Sequence, residues 1–87
     1  MKHPTKVEKY SGTSQELAKD IGRMRYDAVA EFYNYLGDDL MEQARADRAR
    51  GNIQLAGKLE STAQKFYEAR DKMFDIWNLC KKHIKEE

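Results

Sequence analysis

The stretch from Ile53 to Ile84 carries an apolar repeat that predicts one long amphipathic helix. Its core positions are three and four residues apart in strict alternation: Ala56, Leu59, Ala63, Phe66, Arg70, Met73, Trp77, Cys80 and Ile84. This spacing is the heptad repeat, which keeps one face of a helix turned toward a neighbouring helix. The flanking positions are also largely apolar, so the stripe is wider than a two-stranded coiled coil requires. The pattern therefore predicts contact with more than one neighbouring helix.

A second helix is predicted to begin at about residue 14. Thr13 and Glu16 have the spacing of a capping box, in which each side chain bonds the other residue's backbone N–H. Apolar residues then recur at helical spacing through Gly37 to about Arg50, which favours one continuous helix over 14–50. The alternative is a break at Gly37, with Asp38 capping the following helix, and this alternative gives a three-helix bundle.

The segment Arg50-Gly51-Asn52 predicts a tight turn between the two helices. Glycine suits the left-handed residue after a helix, and asparagine is a good N-cap for the next one. Helices joined by so short a loop pack antiparallel, which gives a helical hairpin of residues 14–50 and 53–85. In the resulting register Phe66 lies opposite Gly37, so a large side chain faces a residue without one.

This turn, with Ala56 and Ala63 after it, resembles the hairpin of a tetratricopeptide repeat. Such a repeat has a large aromatic residue between the two alanines, where this chain has Glu60. The resemblance covers one turn and implies only a helical hairpin.

Composition indicates one small all-α domain over residues 13–87, preceded by a flexible arm over 1–12. The chain has 87 residues and a net charge of +1, so the overall charge gives no reason to expect nucleic-acid or membrane binding. A single cysteine fits a reducing compartment, and no apolar run is long enough for a membrane span. We therefore expect a cytoplasmic protein with no membrane association.

Catalytic and cofactor motifs are missing from the sequence, so we expect a non-enzymatic protein without cofactor or metal. Cys80 and His83 lie one helical turn apart, but a metal site needs further ligands and a nucleophile needs an orienting third group. A structural role for Cys80 on the apolar seam is the favoured interpretation.

Aromatic side chains and one arginine are the candidate interface residues, because such residues often dominate protein–protein contacts. They are Tyr26, Tyr33, Tyr67, Arg70, Phe74 and Trp77. Arg70 lies in the apolar seam, where two roles are open. Either its stem packs while its guanidinium reaches water, or it pairs with Glu31 on the facing helix.

A hairpin of two such helices cannot cover its own wide apolar faces, so we expect it to dimerise into a four-helix bundle. The favoured function is a protein–protein interaction or adaptor module that acts through these faces, as a homodimer or with another protein. The alternative is a binder of nucleic acid or of an acidic partner at one basic end of the hairpin. The candidate basic patch there comprises Lys19, Arg23, Arg25, Lys81, Lys82 and Lys85.

Overall fold

The computed structural model describes residues 3–83, and this range is helical without strands. It contains α1 (Ser14–Gly22), α2 (Tyr26–Ala49) and α3 (Ile53–Cys80), followed by a 3-10 helix over Lys81–His83. The backbones of α2 and α3 pack closely together, whereas α1 makes only marginal backbone contact with either. The prediction of an all-α fold is confirmed, and its central unit is the α2–α3 hairpin.

α1 begins at the predicted capping box. The Thr13 hydroxyl accepts a hydrogen bond from the Glu16 backbone N–H at 3.1 Å, and the Glu16 carboxylate accepts one from the Thr13 N–H at 2.8 Å. These two bonds satisfy backbone donors that the first turn of a helix leaves without a partner.

The single helix predicted over 14–50 is wrong, because the chain breaks between Gly22 and Tyr26. Arg25 has an extended backbone with ψ of 144°. Its guanidinium bonds the Asp27 carboxylate at 2.7 and 2.9 Å and lies 4.8 Å from the centre of the Trp77 ring. These contacts hold the chain in a non-helical conformation immediately before α2.

The structure has three helices, but the break proposed at Gly37 is wrong in position. α2 runs without interruption from Tyr26 to Ala49 and includes Gly37. The short α1 therefore becomes the additional element, and the helix continuity predicted at Gly37 is confirmed.

The turn between α2 and α3 forms where the sequence predicted it. Gly51 has a φ of 87°, in the left-handed region that glycine adopts without steric cost. The Asp47 carboxylate accepts hydrogen bonds from Arg50 at 2.7 Å and from the Asn52 side chain at 3.4 Å. Asn52 stands at the N-cap position of α3, but its side chain makes no capping bond.

Small residues line the contact between α2 and α3. The buried residues of the described chain are Val29, Ala30, Gly37, Ala44, Ala56 and Ala63. Most of them recur at intervals of seven on their helix, so they form one continuous line along each. Because these side chains are short, Cα atoms of the two helices approach within 8 Å.

Tyr67, rather than the predicted Phe66, covers Gly37. A Cβ atom at position 37 would lie 2.8 Å from Cε1 of the Tyr67 ring. The next residue along α3 therefore faces Gly37, and one residue along a helix turns the side-chain direction by about 100°. Phe66 accordingly points to a different side of the hairpin.

The described part of the N-terminal arm folds back on itself and on α1. The Tyr10 hydroxyl donates to the Asp20 carboxylate at 2.6 Å, and its ring lies against Gly12. Farther toward the N-terminus, His3 lines a groove of about 600 Å³ near the hairpin turn, together with residues that include Asp47 and Leu55. The flexibility of the arm and the domain limits at 12 and 13 remain predictions.

Two alanine substitutions test whether close packing at Gly37 determines the hairpin. Gly57→Ala meets no atom within 4 Å and should raise the free energy of unfolding by about 0.5–1 kcal/mol through helix propensity. Gly37→Ala should instead lower it, because displacing the Tyr67 ring costs about 1–3 kcal/mol and exceeds that gain. Urea unfolding followed by circular dichroism measures both. Stabilisation by both substitutions would contradict the packing described here.

Candidate interaction surface

The α2–α3 hairpin has two chemically different sides, separated by the line of buried small residues. We call them the polar side and the apolar side. Residues that flank the buried line in one direction make cross-helix hydrogen bonds and define the polar side: Asn34, Asp38, Arg48, Glu60, Tyr67 and Arg70. Those that flank it in the other direction define the apolar side: Phe32, Tyr33, Leu36, Leu40, Leu59, Phe66, Met73 and Trp77.

Three pairs of side chains connect the helices across the polar side. Arg48 donates to the Glu60 carboxylate at 2.7 and 3.3 Å near the turn. Tyr67 donates to Asp38 at 2.5 Å in the middle, and Arg70 donates to the Asn34 amide oxygen at 2.5 Å beyond it. All three pairs join residues at nearby levels of the antiparallel helices, so they add to the alignment that the small residues allow.

Asp38 changes the acidity of Tyr67. The hydrogen bond to the Asp38 carboxylate, then partial burial, and then the negative charge of Asp38 raise the pKa of Tyr67 above its ordinary value of 10.0. Arg70 opposes this effect, with its guanidinium 4.9 Å from the centre of the Tyr67 ring. Tyr67 is therefore a donor to a carboxylate in the folded chain at neutral pH.

Arg70 bonds other partners than Glu31, whose pairing with it was the second of the two roles considered. Its guanidinium donates to Asn34 and also to the Asp71 carboxylate at 3.0 Å. Its side chain is 28% exposed, so the charge reaches solvent while the stem packs between the helices. This arrangement corresponds to the first of the two roles considered for Arg70. Glu31 lines an open groove of about 410 Å³ beside it, with Tyr35 and Phe74 among the other lining residues.

The apolar side is only partly covered. Each of the residues that define it remains partly exposed in the single chain. Tyr33 and Phe66 contact each other across the helices, with ring centroids 6.2 Å apart and planes inclined by 52°. Leu55 and Ile76 extend this side along the outer edge of α3 and are 48% and 38% exposed. A continuous apolar strip therefore runs along the hairpin.

The six candidate interface residues do not form one surface. Tyr67, Arg70 and Phe74 lie on the polar side, whereas Tyr33 and Trp77 lie on the apolar side. Tyr26 stands at the start of α2 and is 39% exposed. The sequence-based selection favoured aromatic residues and left out Leu36, Leu40, Leu59 and Met73. Their 3–4 spacing in the sequence was the signal that could have grouped them.

The candidate basic patch is mixed with acidic groups. Arg25 is held by Asp27 and by Trp77. Trp77 lies about one helical turn before Lys81 and Lys82, which are exposed in the 3-10 helix. Lys19 and Arg23 line a groove on α1 together with Glu16 and Asp20. Lys85 lies outside the described residues.

Cys80 is a half-buried free thiol, and residues 3–83 contain no group of three or more His, Cys, Asp or Glu side chains that could hold a metal ion. Within the same residues, no helix combines the length and apolarity needed to cross a membrane.

Protein families, curated proteins and solved structures give no match to this chain.

A tyrosine titration tests the Tyr67–Asp38 contact. In Asp38→Asn the neutral amide no longer disfavours the phenolate, so the pKa of Tyr67 should fall. Absorbance at the phenolate wavelength, recorded against pH, measures this change, and Tyr67→Phe identifies the component that belongs to Tyr67. Asp39→Asn is the matched control, because the neighbouring Asp39 carboxylate bonds Gln43 and not a tyrosine.

The same contact predicts a direction for stability against pH. Since the pKa of Tyr67 is raised in the folded chain, the contribution of the contact is present below about pH 10 and is lost as the pH rises through the raised pKa. The Tyr67→Phe variant should accordingly lose less stability above pH 10 than the unmodified chain, which thermal unfolding at a series of pH values measures.

If Asp38→Asn and Asp39→Asn gave the same tyrosine titration, that result would contradict the Tyr67–Asp38 contact.

Proposed function

We propose that this protein is a non-enzymatic, self-associating interaction module in which a second copy covers the apolar side. The result is a four-helix bundle of two hairpins. One observation carries the proposal: apart from Val29, the hairpin buries only alanine and glycine, while the large residues of its apolar side stay partly exposed. A stable bundle places such residues in its core, between facing helices.

The surface area of the chain supports an occupant of substantial size. The chain exposes 7245 Å², whereas a compact protein of 10.2 kDa exposes about 5,300 Å². The excess is about 1,900 Å². A standard interface removes about 800 Å² from each partner, and obligate homodimers remove more. The N-terminal arm and the elongated shape of the chain account for part of this excess, and the exposed apolar side contributes to the rest.

A second copy suits the apolar side because two hairpins supply matching surfaces. The strip on one copy has the length and width of the strip on the other, and a two-fold axis places the same surface on both sides of the contact. Burial of an apolar side chain such as Leu or Met contributes about 1.5–3 kcal/mol, which the small residues between α2 and α3 cannot supply. Self-association therefore supplies the core that the single chain lacks.

Binding of nucleic acid or an acidic partner receives less support. The arginine nearest the basic tip is already engaged by Asp27 and Trp77, and the cations of α1 alternate with carboxylates. The polar side and the ends of the bundle remain accessible in the proposed dimer, and these surfaces are available to another protein partner.

Two lysine substitutions on α3 test the proposal. Met73 lies on the apolar side and Leu79, which is 71% exposed, lies away from it. Met73→Lys should raise the dimer dissociation constant at least tenfold, which corresponds to about 1.4 kcal/mol, because association would bury a charged amine. Leu79→Lys should leave it unchanged. Sedimentation velocity over a concentration series measures both.

Circular dichroism provides the control for folding, since lysine at a partly exposed position can extend its amine to water in the monomer. Equal association of the two variants would contradict the assignment of the apolar side as the interface.

A further inference from the structure

Opposite charges border the apolar side on its two outer edges. On α3, the basic edge consists of Lys58, Lys65 and Lys72, which are seven residues apart and exposed. Residues seven apart lie on the same face of a helix, so the three amines form one row. This row adjoins Leu55 and Ile76 on the flank of the apolar side that faces away from α2.

The other outer edge, on α2, carries an exposed carboxylate. Asp39 follows Leu36 of the apolar side by one turn, and we call its position the acidic edge. Asp39 also accepts a hydrogen bond from Gln43 at 2.7 Å, and Lys65 is 3.7 Å from Glu68. Both of these local contacts are on the exposed surface, where such pairs contribute little and leave the charges available to other groups.

Two hairpins can stack with their apolar sides together in two ways that a two-fold axis permits. If the axis runs along the helices, the turns lie at the same end and α2 of each copy packs on α3 of the other. If the axis runs across the helices, the turns lie at opposite ends and each helix packs on its own equivalent. Both arrangements bury the same apolar side, so apolar burial alone does not choose between them.

From the charged edges we infer that the second copy packs with its turn at the same end, so that α2 of each chain lies on α3 of the other. In this arrangement the acidic edge of each copy meets the basic edge of the other. The opposite-end arrangement places lysine rows together and carboxylates together, which costs free energy and disfavours that pairing. This inference rests on the proposed self-association and adds its geometry.

The register within the hairpin sets the level of the contacts between copies. Gly37 lies level with Tyr67 and Asn34 with Arg70. Continuing the same antiparallel register places Asp39 level with Lys65 of the second copy, because α2 runs antiparallel to that α3 as well.

Charge reversal distinguishes the two arrangements. Lys58→Glu, Lys65→Glu and Lys72→Glu in one chain should raise the dimer dissociation constant at least tenfold at low salt, because both edges of the same-end dimer become acidic on acidic. Adding Asp39→Lys to that chain should restore part of the association, since the edge on α2 is then basic and meets the reversed charge at position 65 of the other copy. An opposite-end dimer pairs like charges before and after these changes, so this loss and recovery would not occur.

A distance measurement gives an independent test. Ile53, at the start of α3, is 54% exposed. A spin label on Ile53→Cys, with Cys80→Ala, reports the separation of the two turns by double electron–electron resonance. In the same-end dimer the two labels lie at the same level, and helices about 10 Å apart separate them by about 25 Å across the bundle. In the opposite-end dimer they lie about one α3 length apart, which is about 42 Å for 28 residues at a rise of 1.5 Å.

The outcomes separate the two proposals. A dimer with the short distance and the charge recovery supports the same-end arrangement. A dimer with the long distance overturns that arrangement and leaves self-association intact. A monomer at every concentration overturns both.

Discussion

The close approach of α2 and α3 along a line of small residues is the constraint on which the rest of the structure depends. Ala30, Gly37 and Ala44 on one helix face Ala56 and Ala63 on the other. With so little side chain between them, the backbones approach until no large residue fits in the contact. The large side chains must therefore lie on one side of the hairpin or the other, and this division creates its two surfaces.

The two sides then have different roles. On the polar side, the carboxylates of Asp38 and Glu60 and the amide of Asn34 accept bonds from the facing helix, and these contacts add to the alignment that the small residues allow. On the apolar side, the same register aligns leucine, methionine and aromatic side chains into one strip. Such a strip gains free energy only when another surface removes it from water, so a defined hairpin and an incomplete core arise together.

Local sequence signals predicted the local structure well. The Thr13–Glu16 capping box, the Gly51 turn and the continuity of α2 through Gly37 depend on neighbouring residues, and all three are confirmed. The break before α2 was missed because apolar spacing continues across it, while the contact that holds it joins Arg25 to the distant Trp77.

The division of the candidate interface was missed for a related reason. Periodicity gives a stripe of large residues, but it does not reveal that small residues within the stripe will make the contact. Neighbouring residues on α3 point in directions about 100° apart. Tyr67 rather than Phe66 therefore covers Gly37, and the two rings lie on opposite sides of the hairpin. Small-angle X-ray scattering over a dilution series tests whether a second copy covers the apolar side. Self-association of this kind predicts a mass from forward scattering of twice 10.2 kDa that persists on dilution. A mass of 10.2 kDa with a radius of gyration near 15.8 Å at every concentration would contradict it.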